Sequence, residues 1–217
     1  MTGRWSAVLF DFDYTLGDTE RGIVACTRYA LEQMGLSQPL EGKIRRTIGM
    51  TLERSFTTLT GSTNSAEQAE FSRLFNEKAE EVMVDSAVHY PGAREMFDWL
   101  ETQGIAAGVV TNKNRPRIAA ILEQAGISPA VLVSAQDAVP KPAPDGILLA
   151  ARSLYLPLEQ MLYIGDSRID EAAARVAGCG FIALTTGATL PEEFAPDTEL
   201  CENLIALRER LEQEGRA

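Results

Sequence analysis

Five short apolar runs, each ending at or just before an acid or a hydroxyl, limit what this 217-residue chain can fold into. They occupy residues 7–10, 105–111, 130–134, 161–165 and 181–185. Runs this short, rich in Val, Ile, Leu and Phe, suit strands buried on both faces of a parallel sheet. Helical patterns lie between them at 93–103, 115–124, 145–154 and 170–177. Gly104, Gly126 and Gly178 follow three of these patterns, where a helix is expected to stop. Alternating strand and helix signals predict an α/β fold with a parallel sheet between two helical layers. One stretch breaks the alternation. Residues 17–89 show helical signals only, at 21–34, 41–60 and 64–84. The expected organisation is an α/β core domain of residues 1–16 and 90–217, with an all-α domain of residues 17–89 inserted after the first strand. Residues 202–214 read as a closing amphipathic helix.

Composition narrows the function classes. Hydrophobic residues at 45% and charged residues at 24% exclude collagen-like, disordered and disulfide-scaffold chains. The net charge of −11 argues against nucleic acid as a partner, which needs clustered Lys and Arg. A small anionic substrate remains compatible, provided that a metal or a placed lysine supplies local positive charge. Three scattered cysteines, Cys26, Cys179 and Cys201, have no metal or disulfide spacing and suggest free thiols in a reducing compartment. With no signal-peptide pattern and no apolar run near 20 residues, the expectation is a cytoplasmic protein with no membrane partner. The single histidine, His89, cannot make a zinc site alone.

Four motifs carry the chemistry. Asp11-Phe12-Asp13 follows the first strand, and in an extended segment residues i and i+2 project to one side. Two carboxylates there repel and invite a cation or a proton, although both can equally shape a turn. Tyr163-Ile164-Gly165-Asp166 brings a further acid to a strand end. With the first pair it makes a hard oxygen donor set of the kind Mg²⁺ prefers. Asp170 reads as a helix first-turn acid. Val110-Thr111-Asn112 ends a strand in a hydroxyl and an amide, suited to a phosphoryl oxygen or to a plain helix cap. Pro140-Lys141-Pro142 stiffens the backbone around one lysine.

Acid pair, Thr, Lys and acid occur in that order, each after a predicted strand. In this the chain resembles the haloacid dehalogenase-like hydrolase superfamily, over nearly its whole length from Val8 to Gly187. Within it, the chain is most similar to the phosphoglycolate-phosphatase-like branch, through residues 44–49, Tyr90-Pro91-Gly92-Ala93 and residues 172–178. The resemblance implies a Rossmann-like core and a Mg²⁺-dependent phosphatase acting on a small phosphorylated metabolite, with 2-phosphoglycolate the first candidate. By the same likeness Asp11 is the nucleophile, which forms an aspartyl-phosphate, and Asp13 the general acid and base. The Asp11 and Asp166 carboxylates and the Asp13 carbonyl hold Mg²⁺. Thr111, Asn112 and Lys141 bind the phosphoryl group, and Lys141 supplies charge in the transition state. Thr15 orients the first loop, and Asp170 supports Lys141 or the metal's waters. The insert is implied to be a cap that excludes water, with Arg45, Arg46, Gly49, Met50, Thr51 and Arg54 as candidates for substrate choice. Tyr14 stands where this motif often has Gly. Rival readings are hydrolytic dehalogenation, which Asp13 opposes, and phosphonate cleavage through a cap lysine such as Lys43. Nucleoside-monophosphate or pyrophosphate hydrolysis, phosphoglucomutase-like phosphotransfer and a non-catalytic phosphate- or metal-sensing module also remain. A monomer or a homodimer is expected.

Overall fold

A computed structural model describes residues 4–214. The chain divides into two compact units, one formed by residues up to 18 and from 89 onward, the other by residues 19–88. The first strand, β1 (Ala7–Phe10), leads to a two-residue strand, β2 (Gly17–Asp18). Four helices follow: α1 (Glu20–Gln33), α2 (Glu41–Arg45), α3 (Leu52–Thr60) and α4 (Ser65–Val82). Strand β3 (Val88–His89) then precedes α5 (Ala93–Thr102), β4 (Ala106–Val110), α6 (Arg115–Gln124) and β5 (Val131–Val133). The rest comprises α7 (Asp145–Leu154), β6 (Met161–Gly165), α8 (Arg168–Ala177), β7 (Gly180–Leu184), β8 (Glu199–Cys201) and α9 (Leu204–Glu214).

Six strands form one sheet in the order β5-β4-β1-β6-β7-β8, parallel throughout. All four residues of β1 are fully buried, because helices cover both faces of a parallel sheet. The chain runs outward from β1 through β4 to β5, then returns to the other flank with β6. That reversal makes the carboxyl ends of β4, β1 and β6 the switch point at which open α/β sheets place their ligands. Phe10 pairs with Val109 on one side and Ile164 on the other, so the residues that follow all three strands emerge together.

The unit of residues 19–88 has its own apolar interior. Leu31, Ile44, Phe56 and Phe71 are fully buried, and the Phe71 ring lies 5.2 Å from Phe56 and 6.1 Å from Phe75. Asn64 starts α4 by accepting from the amides of Ala66 and Glu67.

The fold departs from the sequence expectations in four places. Residues 41–60 form two helices, not one. Gly49 adopts φ +88°, which a right-handed helix cannot contain, and Thr51 restarts the helix by accepting from the Arg54 amide. Residues 17–89 are not purely helical, since β2 and β3 pair as a separate ribbon, too short to leave any periodicity. The division of the chain falls after residues 18 and 88, two residues later and one earlier than anticipated. Strand β8 was not anticipated because, of its three residues, only Cys201 is buried. Among the described residues, no helix is long and apolar enough to cross a membrane.

Candidate active site

The first loop is anchored to the sheet before it turns. The Asp11 amide donates to the Ile164 carbonyl at 2.8 Å, continuing the β1–β6 ladder by one residue. The Phe12 carbonyl then accepts from the amides of Thr15, Leu16 and Gly17, closing a tight turn. Within it Tyr14 takes φ +56°, a left-handed conformation that costs an L-residue roughly 1–2 kcal/mol. Burial of its side chain and a hydrogen bond from the Thr186 hydroxyl to its carbonyl hold it there. Phe12 points into the core, edge-on to the His89 ring at 6.3 Å.

Lys141 is the hub of the site. Its Nζ donates to Asp170 Oδ1 at 2.6 Å and to the Tyr163 hydroxyl at 2.9 Å. It also forms a buried ion pair with Asp11 Oδ1 at 2.8 Å. The backbone of Lys141 is clamped from β4's side. Asn112 Oδ1 accepts from the Lys141 amide at 2.8 Å, and Asn112 Nδ2 donates to the Lys141 carbonyl at 3.1 Å. Asp170 is fully buried with both oxygens engaged, since Oδ2 accepts from the amide and hydroxyl of Ser167 in a capping box that starts α8. A second lysine serves the first loop. Lys113 Nζ donates to both oxygens of Asp13, at 2.7 and 2.8 Å, in an almost fully buried pair.

Burial shapes the ionisation of these groups. Loss of water raises the Asp11 carboxyl to about 6; the neighbouring Asp170 and Asp13 charges add to this and Lys141 opposes it. Asp166 is pushed well above the usual carboxylate range, first by burial and then by Asp170 and Asp11. Burial pulls the Lys141 ammonium down, but the Asp11 and Asp170 charges outweigh it and hold the group above its ordinary value.

The acids of this site fit a hard divalent cation. Single carboxylate oxygens of Asp11, Asp166 and Asp170 lie within 4.8 Å of one another, all buried. Asp170 is already saturated by Lys141, Tyr163 and Ser167. Asp11 and Asp166 are the two members of the cluster not held in this way, with Asp11 Oδ1 facing the Lys141 ammonium. One ammonium among three crowded, buried carboxylates leaves excess negative charge, and oxygen donors in this setting suit Mg²⁺. The acids are closely backed. A Cβ on Gly187 would fall 1.8 Å from Asp166 Oδ2, and one on Gly165 would fall 2.4 Å from the Asp170 Cβ.

The structure thus gathers Asp11, Asp166, Asp170 and Lys141 at one edge, with Asp13, Thr111 and Asn112 on adjoining loops. Thr111 is buried, and its hydroxyl accepts from the Lys113 amide at 3.3 Å. Thr15 is fully buried, and its hydroxyl has no hydrogen-bond partner among the described residues. Of the residues proposed for substrate choice, Arg45 pairs with Glu20 at 2.6 Å and Thr51 caps α3, while Gly49 forms the break between helices. Lys113, Tyr163 and Gly187 were missed. Lys113 adjoins Thr111-Asn112 and was legible as a lysine at a strand end. Tyr163 looks like any core residue of a strand, and Gly187 has no local signal.

Residues 8–184 match the family described as haloacid dehalogenase-like hydrolase. The chain therefore belongs to the haloacid dehalogenase-like hydrolases, an enzyme family whose α/β fold and acidic strand ends are those described above. Among individual relatives, it is 32% identical over 212 residues to the phosphoglycolate phosphatase of Salmonella typhimurium, covering 87% of this chain and 84% of that one. It is 31% identical over 204 residues to the phosphoglycolate phosphatase of Escherichia coli strain K12, covering 83% and 81%. A crystal structure of a haloacid dehalogenase-like hydrolase from Bacteroides fragilis superposes with a TM-score of 0.90 at 36% identity, over 94% of this chain and 99% of that one. A hydrolase from Pseudomonas syringae shares the fold, with a TM-score of 0.85 at 23% identity over 96% and 98%.

Proposed function

We propose that this hydrolase is a Mg²⁺-dependent phosphatase that cleaves a small phosphomonoester through an aspartyl-phosphate on Asp11, with 2-phosphoglycolate the leading substrate. The observation that carries the reading is the meeting of Asp11 and Asp166, at the carboxyl ends of the adjacent strands β1 and β6, with Lys141 from the loop after β5, in a chain whose relatives include phosphoglycolate phosphatases. The Asp11 and Asp166 carboxylates, with the Asp13 carbonyl, would hold Mg²⁺. The ion's contribution is to screen the charge of an anionic nucleophile from an anionic substrate.

The remaining work falls to the chain. Asp11 is anchored by its amide, and a carboxylate lone pair attacks phosphorus. The P–O bond to the alcohol breaks as the Asp11–phosphorus bond forms, and Asp13 delivers a proton to the departing oxygen. In the second step Asp13 takes a proton from water, which cleaves the acyl phosphate and restores Asp11. Lys141 and Thr111 hold the non-bridging oxygens. Lys141 is suited to this because its charge is pinned by Asp170 while its backbone is fixed by Asn112. Asn112 thus serves through its side chain, as the clamp on the Lys141 loop. Lys113 fixes the Asp13 carboxylate from both oxygens.

Release of inorganic phosphate from an aryl phosphate tests the chemistry. Asp11→Asn is expected to lower kcat by at least about 10³-fold, in keeping with loss of a covalent nucleophile. Turnover at the wild-type rate would remove the assignment. A panel of phosphorylated metabolites tests the substrate, with 2-phosphoglycolate expected to give the highest kcat/KM.

A further inference from the structure

We propose that Tyr163 is a positioning residue for catalysis, whose hydroxyl aims the Lys141 ammonium at the reacting phosphoryl group. The inference rests on the phosphatase reading above.

Tyr163 stands in the middle of β6, fully buried among apolar side chains that include Val110, Ile147 and Ala173. A phenylalanine would fill the same space, so packing alone does not call for the hydroxyl. That hydroxyl instead meets three polar groups. It accepts from Lys141 Nζ at 2.9 Å, and it lies 2.9 Å from the Val110 carbonyl and 3.1 Å from Asp170 Oδ1. A phenol has one proton to donate and two lone pairs to accept with. Its proton therefore goes to the Val110 carbonyl or to Asp170, and a lone pair takes one Lys141 N–H.

The consequence lies in the direction of the ammonium. Lys141 has three N–H bonds at tetrahedral angles. Asp170 takes one and Tyr163 takes another, which leaves the third to project toward the Asp11 side. Without the hydroxyl, two carboxylates alone would orient the group, and the ammonium could swing between them. Tyr163 also ties this orientation to β4, because the Val110 carbonyl immediately precedes Thr111. With its proton on the Val110 carbonyl, the hydroxyl links the strand end that carries Thr111 to the loop that carries Lys141.

The test compares wild type, Tyr163→Phe, Lys141→Met and the double variant in Mg²⁺ buffer. It reads kcat and KM for an aryl phosphate, the dissociation constant of inorganic phosphate, and Tm. For Tyr163→Phe, kcat is expected to fall about 10- to 100-fold, the range a small misplacement of a catalytic group produces. KM should stay within about threefold and Tm within a few degrees. Phosphate binding should weaken with Tyr163→Phe in the wild-type background and show no further change when Lys141 is already Met. A purely structural role would give the same loss in both backgrounds, and that result, or an unchanged kcat, overturns the proposal. Tyr163→Met, which fills the core without a hydroxyl, should repeat the Phe result if the Phe variant folds poorly. Undiminished phosphate affinity and turnover in Lys141→Met would instead remove the phosphatase reading, so the two failures are distinguishable.

Discussion

Asp11 answers to two opposed demands. The proposed role of nucleophile requires the ionised form, yet burial, with the Asp170 and Asp13 charges, holds this carboxyl up to about 6 from an ordinary 3.8. The folded chain keeps its proton to higher pH than the unfolded chain does, so between those values folding binds protons and stability declines as pH rises. Its contribution is complete below about pH 4 and is lost on passing through 6. In EDTA, wild type should therefore lose Tm between pH 4 and 7 more steeply than Asp11→Asn, and thermal melts across that range check it. A parallel pair of curves would show that Asp11 is not the group responsible. Added Mg²⁺ should raise the wild-type Tm more at pH 7 than at pH 4.5, because only the ionised site competes well for a cation. At this scale Asp11, Asp13 and Asp166 were legible as candidates because each stands at or just past a predicted strand end, and Lys141 because prolines flank it on both sides. Tyr163 and Lys113 act through partners 22 and 100 positions away in the chain, Lys141 and Asp13, and no local pattern announces such a pairing.

At the scale of elements, strand tips and tight backbone approaches place the acids together. Asp166 leans on Gly187, where a methyl group would overlap its carboxylate. Gly187→Ala is accordingly expected to push Asp166 out of line and to weaken Mg²⁺ binding by about tenfold or more, readable by calorimetry without any turnover measurement. The cost in overall stability should stay near the 1–3 kcal/mol typical of overpacking. Unchanged Mg²⁺ affinity would show that the loop bearing Gly187 can yield. The core strands were readable because burial on both faces makes them uniformly apolar, and Gly stops framed several helices. The 41–60 region misled because Ile44, Ile48, Leu52 and Phe56 keep a four-residue spacing across a break that runs from Arg46 to Thr51 and includes the left-handed Gly49. An edge strand such as β8, half exposed and three residues long, carries too little pattern to find.

For the whole molecule, every residue of the candidate site belongs to the unit formed by residues up to 18 and from 89 onward. Replacing residues 19–88 by a short Gly-Ser linker should leave a chain that unfolds cooperatively and still binds Mg²⁺. Circular dichroism melts and calorimetry test this, and a molten product would show that the inserted unit is needed for folding. The division into units was legible because strand signals vanish for some 70 residues and then resume. Its ends were not, because β2 and β3 are only two residues each. The sheet order has a further consequence, for the order of assembly. Ala7 pairs with Ala106 and with Met161, partners 99 and 154 positions downstream. During synthesis the central ribbon of the sheet is thus among the first segments made and among the last to be enclosed. Until the chain has grown past Asp166, an oily four-residue stretch lacks one of its two neighbours, so a nascent or truncated product offers an open edge for aggregation well before its acids are brought together.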